Sequence, residues 1–145
     1  MYTVKDILRS KGNDIWSIAP QATAYEALQI MSEKDVGALL VIDEGKLVGI
    51  FSERDYARKV ILRSRYSKGI LVSDIMTSEI SSINPESTVK DCMALMTAEH
   101  IRHLPVMSNE RLIGIVTIGD VVNQIISDQD QTIQQLERHI KKTTG

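Results

Sequence analysis

IWSIAPQATAYEALQIM, residues 15 to 31, lies without a gap over ISSINPESTVKDCMALM, residues 80 to 96. Ile15/Ile80, Ser17/Ser82, Ile18/Ile83, Pro20/Pro85, Thr23/Thr88 and Met31/Met96 match. The same offset of 65 residues (80 − 15 = 65) continues through Leu39/Leu104, Val41/Val106, Leu47/Leu112, Gly49/Gly114, Ile50/Ile115 and Asp55/Asp120. The chain therefore holds two copies of one unit, and a fold inferred for one applies to the other.

Local signals divide each copy in the same way. The short apolar stretch IWSI or ISSI reads as a strand, and after a proline the pairs Thr23-x-x-Glu26 and Thr88-x-x-Asp91 form capping boxes that start a helix. Ala24, Ala27, Leu28 and Met31, and equally Val89, Cys92, Met93 and Met96, recur at helical spacing and give each helix one buried face. ALLVI and LVGIF, then LPVM and LIGIV, predict two strands per copy, joined by the polar, hairpin-sized linkers Asp43-Glu44-Gly45-Lys46 and Ser108-Asn109-Glu110-Arg111. A second helix follows the aspartate of each copy. The order is β-α-β-β-α twice, an α+β, sandwich-like fold whose motifs should be related by a pseudo-twofold axis.

The expected segments are a first motif over 1–66, a second over 72–128 and a helical tail over 129–145. VKDIL (4–8) and VSDIM (72–76) precede the copies and are expected to form helical turns that tie them together. Each sheet would expose a face of Val, Leu and Ile that only the other copy can cover, so neither is expected to be stable alone, and two equivalent clefts should result.

Composition narrows the function classes. A chain of 145 residues can bury about 68% of its unfolded surface and fold unaided. With 43% hydrophobic residues, 25% charged residues and a net charge of −2, it reads as an ordinary globular protein whose field recruits no nucleic acid. The longest apolar run, Ala38 to Ile42, is far short of the ~20 residues that span a bilayer, and the N-terminus has no signal-peptide block, so a cytoplasmic location is expected. The single cysteine, Cys92, allows no intramolecular disulfide and aligns with Ala27 on a buried helix face, where it reads as a small core residue.

The chemistry concentrates where GIFSERD (49–55) and GIVTIGD (114–120) leave a strand and enter a helix. Free N–H groups and the positive end of a helix dipole collect at such a junction and favour a phosphate. The hydroxyl of Thr117 or Ser52 can donate to a phosphate oxygen. Asp120 or Asp55 would repel phosphate, but a ribose diol can donate to both oxygens of a carboxylate. Phosphate plus ribose means a nucleotide. The competing reading is structural: Ser, Thr or Asp at a strand-to-helix junction is an N-cap contributing about 1 kcal/mol.

With its G-h-x-[ST]-x-x-D ends (h, an apolar residue), the strand RHLPV at 102–106 and ALLVI in the equivalent place, the chain resembles a tandem pair of cystathionine-β-synthase (CBS) domains, a Bateman module. The resemblance runs from VKDIL to about Ile126. It implies binding of adenosine compounds (AMP, ADP, ATP, NAD(H) or S-adenosylmethionine) in the two clefts, with regulation rather than catalysis as the outcome. Carried over by position, one site would use Thr117, Gly119 and Asp120 with Arg102 and His103, closed by Ile15 and Trp16. The other would use Ser52, Arg54 and Asp55, closed by Ile80 and Ser81.

The two sites differ chemically. Arg102 and His103 align with Gly37 and Ala38, and strand alternation predicts that only one of Arg102 and His103 faces the ligand. The first cleft could draw cations from residues 53–68, which hold Arg54, Arg58, Lys59, Arg63, Arg65 and Lys68, although a solvated basic face explains most of them. Trp16 either stacks on adenine or packs on a helix.

Other signals carry less. His100 and His103 form an H-x-x-H without a third ligand, so no metal site is expected. No nucleophile elbow, Walker A loop or G-x-G-x-x-G occurs, and no enzymatic activity is expected. Ile133, Leu136 and Ile140 form a narrow apolar stripe on the tail, which suggests a homodimer rather than membrane binding. The resulting reading is a regulatory adenine-nucleotide sensor of energy or redox state that signals to a partner protein. The alternative is a ligand-free dimerisation or scaffold module.

Overall fold

The computed structural model describes residues 2–61 and 68–144, with side chains described through 140. Along the chain the elements are α1 (Val4–Lys11), β1 (Ser17–Ile18), α2 (Ala24–Lys34), β2 (Ala38–Asp43), β3 (Lys46–Ser52), α3 (Glu53–Tyr56) running into a π-helical stretch (Ala57–Ile61), α4 (Val72–Ile75), α5 (Val89–Glu99), β4 (His103–Ser108), β5 (Arg111–Thr117) and α6 (Ile118–Thr144). Arg63 and Arg65 of the basic stretch lie outside the described residues. Packing groups the chain into one unit of residues 14–81 and another of residues 1–13 with 82–145.

In both units the hairpin turns on two residues in the left-handed region, Glu44 and Gly45 (φ 50° and 79°) or Asn109 and Glu110 (φ 50° and 66°). Positive φ at both central positions matches the twist of the strands they join. The registers Asp43↔Lys46 and Ser108↔Arg111 close two-residue loops, and both hairpins carry an irregularity one step on, at Val41/Ile42 and Val106/Met107. The repeat is thus copied down to its bulge.

The helices begin as their sequences dictate. The Thr88 hydroxyl accepts the Asp91 N–H at 3.0 Å, and Asp91 Oδ2 accepts the Thr88 N–H at 2.9 Å. That backbone donor holds the Asp91 carboxyl below its ordinary range. At α2 the box closes one way: Thr23 accepts from Glu26 N–H at 3.1 Å. Ala24, Ala27 and Met31, and Val89, Cys92 and Met96, are buried. Burial pushes the Cys92 thiol up to about 11, as expected of a core cysteine.

One predicted strand is curtailed. In the first copy β1 pairs in parallel with β2, and Leu40 N–H donates to the Trp16 carbonyl at 3.1 Å. Pro105 stands in the place of Leu40 and has no N–H to give, so ISSI keeps only the single bridge Ile83↔Val106.

The helices α1 and α4 explain the repeated glycines. Val4, Ile7 and Leu8 of α1 enter the core of the unit that holds β4 and β5, while Val72 and Ile75 of α4 enter that of β2 and β3. The first N–H groups of α1 donate to the carbonyls of Ser87 (2.8 Å) and Pro85 (3.0 Å), and those of α4 to Ala22 (2.8 Å) and Pro20 (3.0 Å). Seated this way, α1 places Leu8 and α4 places Met76 against the strand glycines. A Cβ on Gly114 would come within 2.8 Å of Leu8 Cδ2, and one on Gly49 within 2.5 Å of Met76 Sδ and 3.1 Å of the Thr77 carbonyl.

Leu8 can yield by a rotamer change, whereas the Thr77 carbonyl is fixed by its hydrogen bond from Ile50 N–H at 2.9 Å. Gly49→Ala should therefore destabilise the protein by about 1–3 kcal/mol and Gly114→Ala by less, read by urea denaturation. Equal midpoints for both variants and the wild type would contradict this packing.

Candidate functional site

Each G-h-x-[ST]-x-x-D stretch ends as a closed capping box. Ser52 N–H donates to Asp55 Oδ2 at 3.1 Å and Asp55 N–H returns to the Ser52 hydroxyl at 3.1 Å. Thr117 N–H donates to Asp120 Oδ2 at 2.8 Å and Asp120 N–H returns to the Thr117 hydroxyl at 3.2 Å. Both aspartates are thus helix-starting groups, whatever else they bind.

Beyond the boxes the junctions diverge. The second oxygen of Asp55 accepts the Thr77 hydroxyl at 3.0 Å and lies 3.3 Å from Lys59 Nζ, which also donates to the Ile75 carbonyl at 3.0 Å. The Ser52 hydroxyl gives its proton to Asp55 Oδ2 at 3.1 Å. At the other junction Lys11 Nζ donates to Asp120 Oδ2 at 2.7 Å and to the Ile115 carbonyl at 2.9 Å. Among the described residues, Asp120 Oδ1 has no donor and the Thr117 hydroxyl proton no acceptor. Both acceptor positions of Asp120 Oδ1 and one hydroxyl proton are therefore available to a ligand there.

His103 begins β4 directly opposite Thr117 in the strand register, so their side chains share one face of the hairpin. It is half-buried, whereas Arg102 is exposed. Burial pulls the imidazole below its usual range, the Lys11 and Arg102 charges add to that, and Asp120 opposes them. Burial first, and the neighbouring cations second, favour the neutral imidazole, and a nearby anion would act in the opposite sense.

The remaining expected residues are accounted for one by one. Gly119 and Arg54 are exposed, and Ile15, Ile80 and Ser81 are half-buried. Trp16 is 41% exposed, with Lys34 Nζ of α2 4.6 Å from its ring centre, a cation–π contact. His100 closes α5 in the left-handed region (φ 55°). Two open grooves are lined by neither Asp55 nor Asp120. One of about 480 Å³, in the residue 14–81 unit, runs beside Gly37, Asp35 and Glu53, and the other, of about 320 Å³, runs beside Lys5, Arg9 and Glu86. No helix among the described residues is long and apolar enough to cross a membrane.

Lys11 and Thr77 escaped the sequence reading because both lie outside the stretch matched at the 65-residue offset. Lys59 carried a signal, its i+4 spacing from Asp55.

Because the folded chain holds His103 below the ordinary histidine range, the unfolded chain binds a proton there first as pH falls. Stability should decline as pH drops below about 6.5 towards the folded value. Melting curves at pH 7.5 and 5.5 should show a larger loss of Tm for the wild type than for His103→Gln. Equal losses would show that His103 is not strained by burial.

Comparison with known proteins places this geometry. The CBS domain family model matches residues 4–62 and 72–127. The chain is 39% identical over 149 residues to the mitochondrial CBS domain-containing protein CBSX3 of Arabidopsis thaliana, covering 96% of this chain and 72% of that one. It superposes on a CBS-domain protein from Burkholderia ambifaria MC40-6 with a TM-score of 0.85 at 45% identity, covering 88% and 96% of the two chains. It is also similar, with a TM-score of 0.78 and 26% identity over 88% and 98% of the chains, to the CBS domain pair of protein MJ0100, solved with 5′-methylthioadenosine and S-adenosyl-L-methionine.

Proposed function

The chain belongs to the CBS-domain family as a tandem regulatory pair, and we propose that it senses an adenosine compound and passes the ligand-dependent change to a partner protein. The observation that carries this reading is the Asp120 junction. There a carboxylate oxygen and a hydroxyl proton that no described residue engages stand beside Lys11 and half-buried His103. Asp120 Oδ1 is suited to a ribose hydroxyl. The Thr117 hydroxyl and the remaining Lys11 proton are suited to an anionic oxygen, which AMP, ADP, ATP or NAD(H) would supply. S-adenosylmethionine shares the ribose, and the adenosine ligands of the MJ0100 pair support this ligand class. Arg102, exposed in the structure, would close on the ligand from solvent, and nothing in the proposal requires catalysis.

Thermal-shift measurements with millimolar AMP, ADP, ATP, NADH and S-adenosylmethionine should raise the melting temperature with at least one ligand. The stabilisation expected is about 2.7 kcal/mol at a hundredfold excess over Kd. Asp120→Asn keeps a side-chain oxygen for the Thr117 N–H, so the fold should survive while affinity falls by about 1–3 kcal/mol, roughly five- to 150-fold. Unchanged affinity by calorimetry would leave Asp120 with capping alone, and no shift with any of the five would remove the sensor.

A homodimer is the second proposal, supported by α6. Ile126, Ile133 and Ile140 recur every seven residues and are 51%, 52% and 59% exposed, with Val122 and Leu136 on the adjoining rows at 41% and 58%. A heptad stripe of this kind fits a second helix of the same type, which would bury it as a coiled-coil seam. Ile133→Asp with Leu136→Asp should convert dimer to monomer by sedimentation velocity without changing ligand affinity. A wild-type chain that sediments as a monomer at high concentration would end this proposal. If the variant lost ligand binding together with the dimer, the scaffold reading would be favoured over the sensor.

A further inference from the structure

We infer that the two junctions are not equivalent and that the chain takes up one adenosine-type ligand, at Asp120, because both oxygens of the Asp55 carboxylate are already engaged by the protein's own donors. The inference rests on the adenosine reading above and narrows it to one site.

A carboxylate offers about four acceptor positions. At Asp55 three are filled by hydrogen bonds, the Ser52 N–H and the Ser52 hydroxyl on Oδ2, both at 3.1 Å, and the Thr77 hydroxyl on Oδ1 at 3.0 Å, and the Lys59 ammonium stands 3.3 Å from Oδ1 as an ion pair. These donors are themselves pinned. Thr77 exchanges two backbone hydrogen bonds of 2.9 Å with Ile50, and Lys59 is tethered to the Ile75 carbonyl. A ribose diol arriving at Asp55 would have to break at least one of these contacts, and the Ser52 proton it would meet is already donated. At Asp120 both donors, Thr117 N–H and Lys11, converge on Oδ2 and leave Oδ1 open.

The difference is written in two substitutions between the copies. At the 65-residue offset Lys59 corresponds to Gln124, and when VSDIM is laid on VKDIL, Thr77 corresponds to Arg9. Arg9 turns to Asp6 of its own helix, 4.0 Å away, and Gln124 carries no charge. The Asp120 unit therefore lacks both donors that close the Asp55 unit.

Calorimetry with AMP and with S-adenosylmethionine on the full chain reads this directly. The wild type should bind one ligand per chain, Asp120→Asn should weaken that single isotherm at least fivefold, and the double variant Thr77→Val, Lys59→Met should raise the stoichiometry from one to two. Circular dichroism melts verify that each variant is folded. A wild-type stoichiometry of two would overturn the inference while leaving adenosine binding in place. So would a single site that keeps its affinity in Asp120→Asn, or a double variant that still binds one. No uptake of either ligand by any of these chains would overturn the adenosine reading and the inference with it.

Discussion

The carboxylate of Asp120 accepts the Thr117 N–H while the Thr117 hydroxyl accepts the Asp120 N–H, and Ser52 with Asp55 repeats the exchange in the other unit. This reciprocal pair satisfies N–H groups that the first turn of a helix cannot satisfy internally, at a gain of about 0.5–2 kcal/mol for each cap. It also fixes the aspartate in one rotamer, with one oxygen turned to the backbone and the other turned outward. Function then depends on what meets the outward oxygen. In one unit it is Thr77 and Lys59, and in the other no described residue donates to it. In the proposed sensor the capping aspartate would take a second use, as a ligand group, through the oxygen its cap leaves over.

The same economy appears in the glycines. Gly49 and Gly114 are required because Met76 and Leu8 press onto the strand where a Cβ would sit. That contact seats the helix that carries Lys11 at its end and sets the segment that carries Thr77, the groups that make the two aspartates differ. Duplication preserved the caps, the hairpin turns and the bulges, and divergence acted on what surrounds them. Pro105 removes one hydrogen bond from a strand, and Lys59 and Thr77 fill one carboxylate.

Local and periodic features were legible in the sequence. The repeat, the helices begun by Thr23 and Thr88, both hairpins and the buried faces of α2 and α5 follow from capping chemistry and spacing alone. The curtailed first strand of the second copy was legible too, in the proline aligned with Leu40, but only if the parallel partner was known. Strand alternation separated His103 from Arg102 without saying which turns inward. Pairing His103 with Thr117 needed the register of β4 on β5. Lys11 meets Asp120 across 109 residues of chain and Thr77 meets Asp55 across 22, contacts that no local pattern encodes.

The central claim is that Asp120 holds a sugar through the oxygen its cap leaves over. A crystal structure grown with AMP tests it most directly. The account predicts ribose hydroxyls within hydrogen-bonding distance of Asp120 Oδ1, with the Thr117 box intact and Asp55 still bound to Thr77 and Lys59. Density for the nucleotide elsewhere, or an Asp120 oxygen closed off by another side chain of the protein, would contradict it.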